Sequence, residues 1–372
     1  MGLRQGAVAG LEEMSIWNGK RVFLTGHTGF KGSWMTLLLA RLGAKVSGYA
    51  LTPPTDPNLF TIARVAEGIE HHIGDIRDVA KLNAAMTTFK PDVVLHMAAQ
   101  PLVRDSYKIP VETYDVNVMG TVHVLEAVKQ TPGVKATLVI TSDKAYENRE
   151  AMTPYREGDA MGGHDPYSSS KGCAELVTAA YGRSYFDAGN HGSLTSVRAG
   201  NVIGGGDWAK DRIVCDLARG LIAGEKIIIR RPDAIRPWQH VLEPLSGYLK
   251  VAEALLASGP TKWEGWNFGP GKDSEQSVGT LANLIVKLWG TPDALSIQPD
   301  PNAVHEATLL KLDSTKAHTK LGWQPRWGFE DGVGQTMAWY KAYAEGADMR
   351  AFTLKQIDEH LAGAPASRRV SA

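Results

Sequence analysis

Short apolar runs alternate with longer amphipathic stretches along the first half of the chain. The longer stretches carry apolar residues at helical spacing and predict helices, whereas the short β-prone runs predict buried strands. The predicted strands lie at residues 21–25, 45–50, 69–73, 92–96, 138–141 and 194–197. This alternation is typical of an α/β fold with a Rossmann-type doubly wound parallel sheet.

The alternation becomes irregular after the last of these strands. Such irregularity is expected of a smaller C-terminal α+β substrate domain that is built from insertions. We therefore predict a flexible extension (1–16), a Rossmann domain (17–198), a mainly substrate-binding domain (199–345) and a C-terminal helix with a tail (346–372). Some segments of the third part are expected to return to the Rossmann domain.

A glycine motif separates the first predicted strand from the first helix. Gly26, Gly29 and Gly32 stand three residues apart in this connection. Glycine lets the backbone turn sharply and approach a pyrophosphate, whose charge meets free N–H groups at the helix start. Small side chains after the fourth strand would also let a cofactor lie close. The predicted dinucleotide contacts are Gly26, Thr28, Gly29, Phe30, Lys31, Gly32, Asp75, Ile76, Ala98 and Ala99.

The end of the second strand does not separate NAD from NADP. The acid that binds the ribose 2′-hydroxyl of NAD is missing there, since Ala50 is followed by Leu51 and Thr52. The absence of an arginine cluster at this point mildly favours NAD. Asp75, after the third strand, could accept a hydrogen bond from an adenine amino group or cap the following helix.

Candidate catalytic residues follow the fifth strand. Ser142 begins a polar tetrad at the sheet edge where open α/β folds bind ligands, and Tyr167 and Lys171 lie one helical turn apart. The lysine cation would favour a phenolate that takes the proton of a substrate alcohol while a hydride leaves, and Ser142 would hold the oxygen. Alone, the Tyr-x-x-x-Lys pattern fits an ordinary amphipathic helix equally well.

Two helices have more than one possible role. Asn117, within the helix predicted from Val111 to Gln130, could hold a water near the Lys171 ammonium or satisfy a distortion of the helix backbone. This helix and the one predicted from Gly172 to Phe186 could form the core of a homodimer or only cover the sheet. We predict the homodimer.

Charge and cysteine content exclude several classes of partner. Forty Lys and Arg balance forty Asp and Glu, so we expect neither nucleic acid nor a membrane surface as a partner. No apolar run reaches the length of a membrane span. Cys173 and Cys215 lack metal-ligand spacing and cannot form a disulfide framework, so we expect no metal, a reducing compartment and a cytoplasmic location.

Taken together, the motifs resemble the extended short-chain dehydrogenase/reductase superfamily that acts on nucleotide sugars. The residues that carry this resemblance are Gly26-x-x-Gly29-x-x-Gly32, Asp75-Ile76, Ala98-Ala99, Asn117, Ser142 and Tyr167-x-x-x-Lys171. Four longer strings, at 27–34, 98–104, 198–208 and 236–241, more closely resemble the CDP-glucose 4,6-dehydratases. The resemblance extends from about residue 20 to about residue 340, which is nearly the whole chain.

The resemblance implies NAD as the cofactor and CDP-glucose as the small-molecule substrate. Tyr167 would then take the C4 hydroxyl proton during oxidation, Lys171 would lower its pKa and hold the nicotinamide ribose, and Ser142 would bind O4. Asp143 would protonate the departing O6 hydroxyl. Lys144 stands where related dehydratases place the Glu that removes the C5 proton, although it could instead only neutralise Asp143 or a phosphate.

Further substrate contacts are expected from the strings of the second half and from the loop after the fourth strand. They are Gln100, Arg104, Asn201, Arg212, Arg236, His240 and Asn267, of which His240 could equally be structural. The product would serve deoxysugar supply for surface polysaccharide. Two alternatives remain: a nucleotide-sugar epimerase or dehydrogenase, which would not need Asp143 and Lys144, and a non-catalytic NAD(P)-sensing protein. The choice of CDP depends on the resemblance alone.

Overall fold

The computed structural model describes residues 15–149, 153–298 and 310–363. A seven-stranded parallel sheet forms its centre, in the order β11-β6-β5-β4-β1-β2-β3. The strands in chain order are β1 (Arg21–Thr25), β2 (Lys45–Ala50), β3 (Glu70–Ile73), β4 (Val93–His96), β5 (Ala136–Ile140), β6 (Ser193–Ala199), β7 (Val202–Ile203), β8 (Ile227–Ile229), β9 (Ile235–Pro237), β10 (Gln239–His240), β11 (Glu264–Phe268), β12 (Glu275–Ser277) and β13 (Leu295–Ile297). This sheet confirms the predicted Rossmann-type fold.

Helices connect successive strands of the sheet. In chain order they are α1 (Phe30–Arg41), α2 (Leu59–Ile62), α3 (Val79–Phe89), α4 (Val103–Ser106), α5 (Pro110–Tyr114), α6 (Gly120–Lys129), α7 (Pro166–Tyr181), α8 (Ile213–Ala223), α9 (Leu242–Ser258), α10 (Val278–Trp289), α11 (Thr315–Leu321), α12 (Phe329–Ala344) and α13 (Met349–Leu361). All residues of β4, β5 and β6 are buried, as expected when helices cover both faces of a parallel sheet.

The strand order places a topological switch between β1 and β4. The chain adds β2 and β3 on one side of β1 and then returns to add β4 and β5 on the other side. In open α/β sheets the crevice outside the carboxyl ends at such a switch binds ligands. The residues that follow β1, β4, β5 and β6 therefore meet at one edge.

The second half of the chain both completes the sheet and builds beside it. β11 pairs with β6, so a segment from beyond residue 198 returns to the Rossmann sheet as expected. Three two-stranded sheets, β7 with β10, β9 with β12 and β8 with β13, form the rest. The domain boundaries stay a prediction, and residues 1–14 of the extension and 364–372 of the tail lie outside the described residues.

The predicted helix from Val111 to Gln130 is interrupted. A π-helical turn at Asp115–Met119 separates α5 from α6, and Asn117 lies within it. One predicted role for Asn117 was to satisfy a distortion of the helix backbone, and such a distortion is present. A second π-helical turn, at Gly182–Phe186, follows α7.

The C-terminal helix is held by a buried hydrogen bond. His360 of α13 lies 2.9 Å from the Glu243 carboxylate of α9, and both side chains are buried. The same carboxylate accepts hydrogen bonds from the backbone N–H groups of Arg326 and Trp327, at 2.8 and 3.0 Å. Glu243 therefore joins α13, α9 and the segment before α12.

We predict that His360→Ala lowers the free energy of unfolding by about 3 kcal/mol, because it leaves the buried Glu243 carboxylate without one of its hydrogen-bond partners. Chemical denaturation measures this loss. His164→Ala, at a largely exposed histidine, is the control and should leave the midpoint nearly unchanged. Equal, small effects of the two substitutions would contradict the account of this pair.

Candidate active site

Ser142 organises a short turn directly after β5. Its hydroxyl donates to the Asp143 carboxylate at 2.9 Å and accepts from the backbone N–H of Lys144 at 3.2 Å. These bonds cap the 3-10 turn at Asp143–Ala145. Ser142 and Asp143 are both buried, whereas Lys144 is partly exposed.

Tyr167 approaches this turn from α7. Asp165 caps the helix by accepting from the Ser168 backbone N–H at 2.9 Å, and a proline occupies the first turn. The Tyr167 backbone N–H donates to Ser106 Oγ at 3.2 Å, and its side chain lies close enough to Ser142 to affect the pKa of the phenol. The predicted tyrosine and the predicted acid thus lie on either side of one serine hydroxyl.

The pKa of Tyr167 differs from the sequence prediction. Burial raises it to about 12, while the neighbouring Ser142 hydroxyl and the charge of Arg212 act in the opposite direction. We expected Lys171 to lower it. The Lys171 ammonium instead faces the Ile140 carbonyl oxygen at 3.5 Å, and burial lowers its own pKa to about 8. In this structure Tyr167 is therefore protonated at neutral pH.

Burial also raises the pKa of the predicted acid, Asp143. The charges of Lys144 and Lys31 and the hydrogen bond from Ser142 act in the opposite direction. A carboxyl group with a raised pKa holds its proton and can donate it, which is what the predicted role requires.

Lys31 reaches the same region from the glycine loop. Burial, together with the charges of Lys171 and Arg212, lowers the pKa of Lys31 to about 8, and the nearby Asp143 opposes that shift. Sequence reasoning placed Lys31 at the cofactor only. Its proximity to Asp143 was missed because the two residues are far apart in the chain and meet only through the parallel sheet.

The glycine loop has the form of an anion site. Gly26 adopts a left-handed φ of 84°, and a Cβ there would lie 2.7 Å from the Ala98 backbone nitrogen. A Cβ on Gly32 would lie 2.0 Å from the Gly26 carbonyl oxygen. Gly29 begins α1 with no capping side chain, and the first turn has no acidic residue. The N–H groups of this turn are thus suited to a diphosphate.

Other predicted cofactor residues form the surroundings of this loop. Thr28 Oγ1 donates to the Leu51 carbonyl at 2.8 Å, and Phe30 packs near Gly204. Ala98 and Ala99 are partly exposed after β4. The loop is therefore joined to the end of β2 and lies beside the small residues that follow β4.

The prediction that Asp75 caps the following helix is wrong. The cap of α3 is Asp78, whose side chain accepts from the Lys81 N–H at 3.1 Å. The Asp75 carboxylate pairs with the Arg77 guanidinium at 2.6 Å, which lowers the pKa of Asp75. Ile76 is buried beside it. The adenine contact of Asp75 stays a prediction.

Asn117 joins the loop after β4 to α7. Its side-chain oxygen accepts from the Gln100 N–H at 2.8 Å, and its amide group donates to the Gln100 carbonyl and to Ser170 Oγ. The Gln100 side chain is bonded on both sides to the Leu102 backbone. Asn117 therefore holds backbone at the cofactor edge, and the Gln100 side chain holds its own turn.

The predicted substrate-binding arginines separate into two groups. Arg212, at the start of α8, pairs with Asp207 at 2.6 Å and lies close enough to Tyr167 for their charges to interact. Arg104 is about half exposed and pairs with Asp211 at 2.8 Å, and Arg236 on β9 donates to the Ile235 carbonyl. The structure brings Arg212 to the catalytic residues.

Asn201 lies on the loop after β6 and is partly exposed. Its neighbour Gly200 faces the predicted acid, since a Cβ there would lie 3.1 Å from Asp143 Oδ2. The loop therefore borders the catalytic turn, and the contact of Asn201 with substrate stays a prediction.

Two predicted substrate contacts do not fit the structure. His240 is 0% exposed and lies between the rings of Trp34 and Trp327, at centroid distances of 5.6 and 4.9 Å. Asn267 is also 0% exposed, accepts from the Tyr146 hydroxyl and donates to the Tyr155 carbonyl. Both side chains occupy packed positions, so neither is placed to touch a ligand.

Sequence reasoning missed a buried ion pair that lies one helical turn beyond Lys171, the predicted catalytic lysine. Glu175 follows Lys171 by one helical turn and pairs with Arg198 of β6 at 2.7 Å. Both side chains are 1% exposed. The spacing of four residues between Lys171 and Glu175 was a usable signal, since such residues share a helix face.

Comparison with known proteins identifies the family of this chain. A family model described as GDP-mannose 4,6 dehydratase matches residues 23–336. The chain belongs to this family. A curated family relative, the CDP-glucose 4,6-dehydratase of Salmonella typhimurium, is 54% identical over 94% of this chain and 98% of its own.

Solved structures share the fold of this family member. The dTDP-glucose 4,6-dehydratase of Bacillus anthracis, in complex with NAD, matches 88% of this chain and 99% of its own with a TM-score of 0.73 at 21% identity. The UDP-glucose 4-epimerase of Thermotoga maritima, with UDP-glucose, matches 87% and 99% with a TM-score of 0.74 at 22% identity. Dehydratases and epimerases therefore share this architecture, and the fold alone does not choose between them.

Within residues 15–149, 153–298 and 310–363, no helix combines the length and the apolar composition that a membrane span needs. The same residues contain no cluster of three or more His, Cys, Asp or Glu side chains that could hold a metal ion.

We predict that Asp143→Asn raises the melting temperature at pH 8 and that this gain disappears by about pH 4. Because the folded-state pKa is raised, the ionised carboxylate costs stability above that pKa, whereas below the ordinary pKa the cost is absent. Melting curves across this pH range measure it. Asp293→Asn, at an exposed aspartate, is the control. A less stable Asp143→Asn protein at pH 8 would contradict the raised pKa.

Proposed function

We propose that this chain is a CDP-glucose 4,6-dehydratase, which converts CDP-glucose to CDP-4-dehydro-6-deoxyglucose and water. The observation that carries the proposal is the buried group of Asp143, Ser142 and Tyr167, in which Ser142 donates to an Asp143 carboxyl group of raised pKa. An acid beside the oxidising pair is what an elimination requires. An epimerase needs no such acid.

The choice of cytidine comes from the 54% identical relative of Salmonella typhimurium, which covers almost the whole chain. The proposal also places the enzyme in the cytoplasm and its product in deoxysugar supply for surface polysaccharide. Both of the chain's cysteines are free, which agrees with a reducing compartment.

The loop after β1 suits NAD as the cofactor. Gly26, Gly29 and Gly32 would hold its diphosphate at the start of α1, where the first turn has no capping side chain. When bound, NAD⁺ accepts the hydride from C4 of the sugar and returns it to C6. Lys171 is the residue expected to hold the nicotinamide ribose.

The chain's own residues would then move three protons. Tyr167 must first lose its own proton; as a phenolate it takes the C4 hydroxyl proton while Ser142 holds O4. The resulting ketone makes the C5 proton acidic, and a base removes it as the C6 hydroxyl leaves with the proton of Asp143. Water is released, and after the hydride returns to C6 the proton on the base is returned to C5. At the end of the cycle the proton gained by Tyr167 replaces the one given by Asp143. The ε-amine of Lys144 is the proposed base.

We predict that the purified protein, given NAD⁺ and CDP-glucose in heavy water, forms a C6 methyl group with deuterium at C5 and no net reduction of the cofactor. Proton NMR follows both changes. Tyr167→Phe should slow the reaction by about 10²–10⁴-fold, whereas Tyr185→Phe, at an exposed tyrosine, should not.

The same assay with dTDP-, UDP- and GDP-glucose tests the base, and CDP-glucose should react fastest. Inversion at C4 without a methyl group would indicate the epimerase instead. No reaction with any of these sugars would favour the NAD(P)-sensing alternative.

Lys144 as the C5 base has a separate test. We expect Lys144→Met to reduce C4 oxidation little but to slow deuterium exchange at C5 by about 10²–10⁴-fold, so that reduced cofactor accumulates and absorbs in the near ultraviolet. Lys210→Met, at an exposed lysine, is the control. If Lys144 only neutralises Asp143, exchange at C5 will persist, and the base must be sought elsewhere.

We also propose that the chain forms a homodimer through α5, α6 and α7, as the sequence predicted. α5 packs against α7, and large apolar side chains on and beside these helices face outward. They are Tyr107, Ile109, Val111, Tyr114, Met119, Leu176 and Tyr185. A concentration of exposed apolar residues is a common mark of a protein interface.

We predict that Val111→Glu with Leu176→Glu gives a monomer at micromolar concentration, because the charges would be buried at the interface. These side chains are 82% and 60% exposed in the single chain. Ile297→Glu is the matched control, since this residue of β13 is 57% exposed and lies away from the helices. Analytical ultracentrifugation decides. An unchanged mass for the double variant would refute this interface.

A further inference from the structure

The buried pair of Glu175 and Arg198 lies between the elements that carry the catalytic residues. Glu175 is on α7 with Tyr167 and Lys171, and Arg198 is near the end of β6. The guanidinium Nε and Nη2 donate to the two carboxylate oxygens at 2.9 and 2.7 Å. A buried ion pair of this kind is tolerated only where further hydrogen bonds offset its desolvation.

Those further bonds lead to the catalytic turn. The Glu175 carboxylate also accepts from the hydroxyls of Thr141 and Ser196, the latter at 2.6 Å. Thr141 immediately precedes Ser142. On the other side, Arg198 Nη1 donates to the Tyr146 hydroxyl at 2.5 Å, and Tyr146 directly follows the 3-10 turn. The pair is therefore bonded to the chain on both sides of the turn.

We propose that Glu175 and Arg198 position the Ser142–Asp143 turn against Tyr167 and Lys171, through the hydroxyls of Thr141 and Tyr146. Neither charge touches a reacting atom in this arrangement, so the role is one of positioning. The turn belongs to no strand of the sheet, and a backbone bond from the Gly162 N–H to the Ala145 carbonyl at 2.9 Å holds its end. The side-chain anchors add to this bond on both sides of the turn. The inference rests on the proposed function, because the turn matters for rate only if Ser142 and Asp143 act on the sugar.

The competing explanation is that the ion pair only stabilises the fold. The hydroxyls of Thr141 and Ser196 allow the two explanations to be distinguished. Thr141 and Ser196 each donate one hydrogen bond to the same buried carboxylate, but only Thr141 leads directly into the turn. Replacing Glu175 itself would leave Arg198 buried without its partner and could prevent folding. Thr141→Val and Ser196→Ala remove single donors and keep the pair.

With CDP-glucose and NAD⁺, Thr141→Val should lower kcat by about 10- to 100-fold, since displaced catalytic groups lose rate, with little change in KM. Ser196→Ala should keep kcat near that of the unaltered protein, and Thr141→Ser, which restores the hydroxyl, should recover most of the loss. Equal effects of Thr141→Val and Ser196→Ala on kcat, or no recovery by serine, would overturn the proposal.

Hydrogen–deuterium exchange supplies a measurement that needs no substrate. Thr141→Val should speed exchange of the backbone amides from Ser142 to Tyr146, and Ser196→Ala should not. If the unaltered protein does not react with CDP-glucose, the proposed function fails, yet this exchange still decides the positioning role. Unchanged exchange in Thr141→Val would overturn it.

Discussion

Burial of ionisable side chains at the carboxyl edge of the sheet is the constraint on which the site depends. A low-dielectric environment disfavours the charged form of each group, so an acid keeps its proton and a lysine more readily loses its own. The raised pKa of Asp143 and the lowered pKa values of Lys31 and Lys171 have this common cause. The site therefore offers a proton donor and weakly held lysine protons close together.

The sheet makes such burial possible by bringing distant residues to one edge. The strands β1, β5 and β6 are parallel, so the residues after each of them meet without any long loop. The Ser142 hydroxyl and the Asp143 carboxyl group then satisfy each other by a hydrogen bond, which limits the cost of removing them from water. A buried ion pair beneath them holds α7 against β6.

The sequence predicted the elements well, because long apolar periodic stretches determine strands and helices with little ambiguity. β1 and β2 begin and end where the pattern indicated. The π-helical turn around Asn117 was not visible in the pattern, since one extra residue in a turn hardly changes the apolar spacing. Local spacing also predicted the neighbourhood of Ser142, Tyr167 and Lys171.

Side-chain direction was the harder property to predict. A resemblance identifies a string of residues, but adjacent residues of a strand face opposite sides, so His240 and Asn267 could be assigned to the substrate and yet be buried. The prediction of a lowered pKa for Tyr167 was wrong for a related reason, because this pKa depends on burial by residues from many elements. Lys31 meets Asp143 only in three dimensions.

The central claim is that this buried site oxidises C4 of a nucleotide hexose, eliminates water and returns the same hydride to C6. CDP-glucose carrying deuterium at C4 tests this most directly, with NAD⁺ present in ordinary water. The account predicts a product whose C6 methyl group contains the deuterium, as seen by deuterium NMR and mass spectrometry. A methyl group without deuterium, or deuterium retained at C4 of an epimerised sugar, would contradict it.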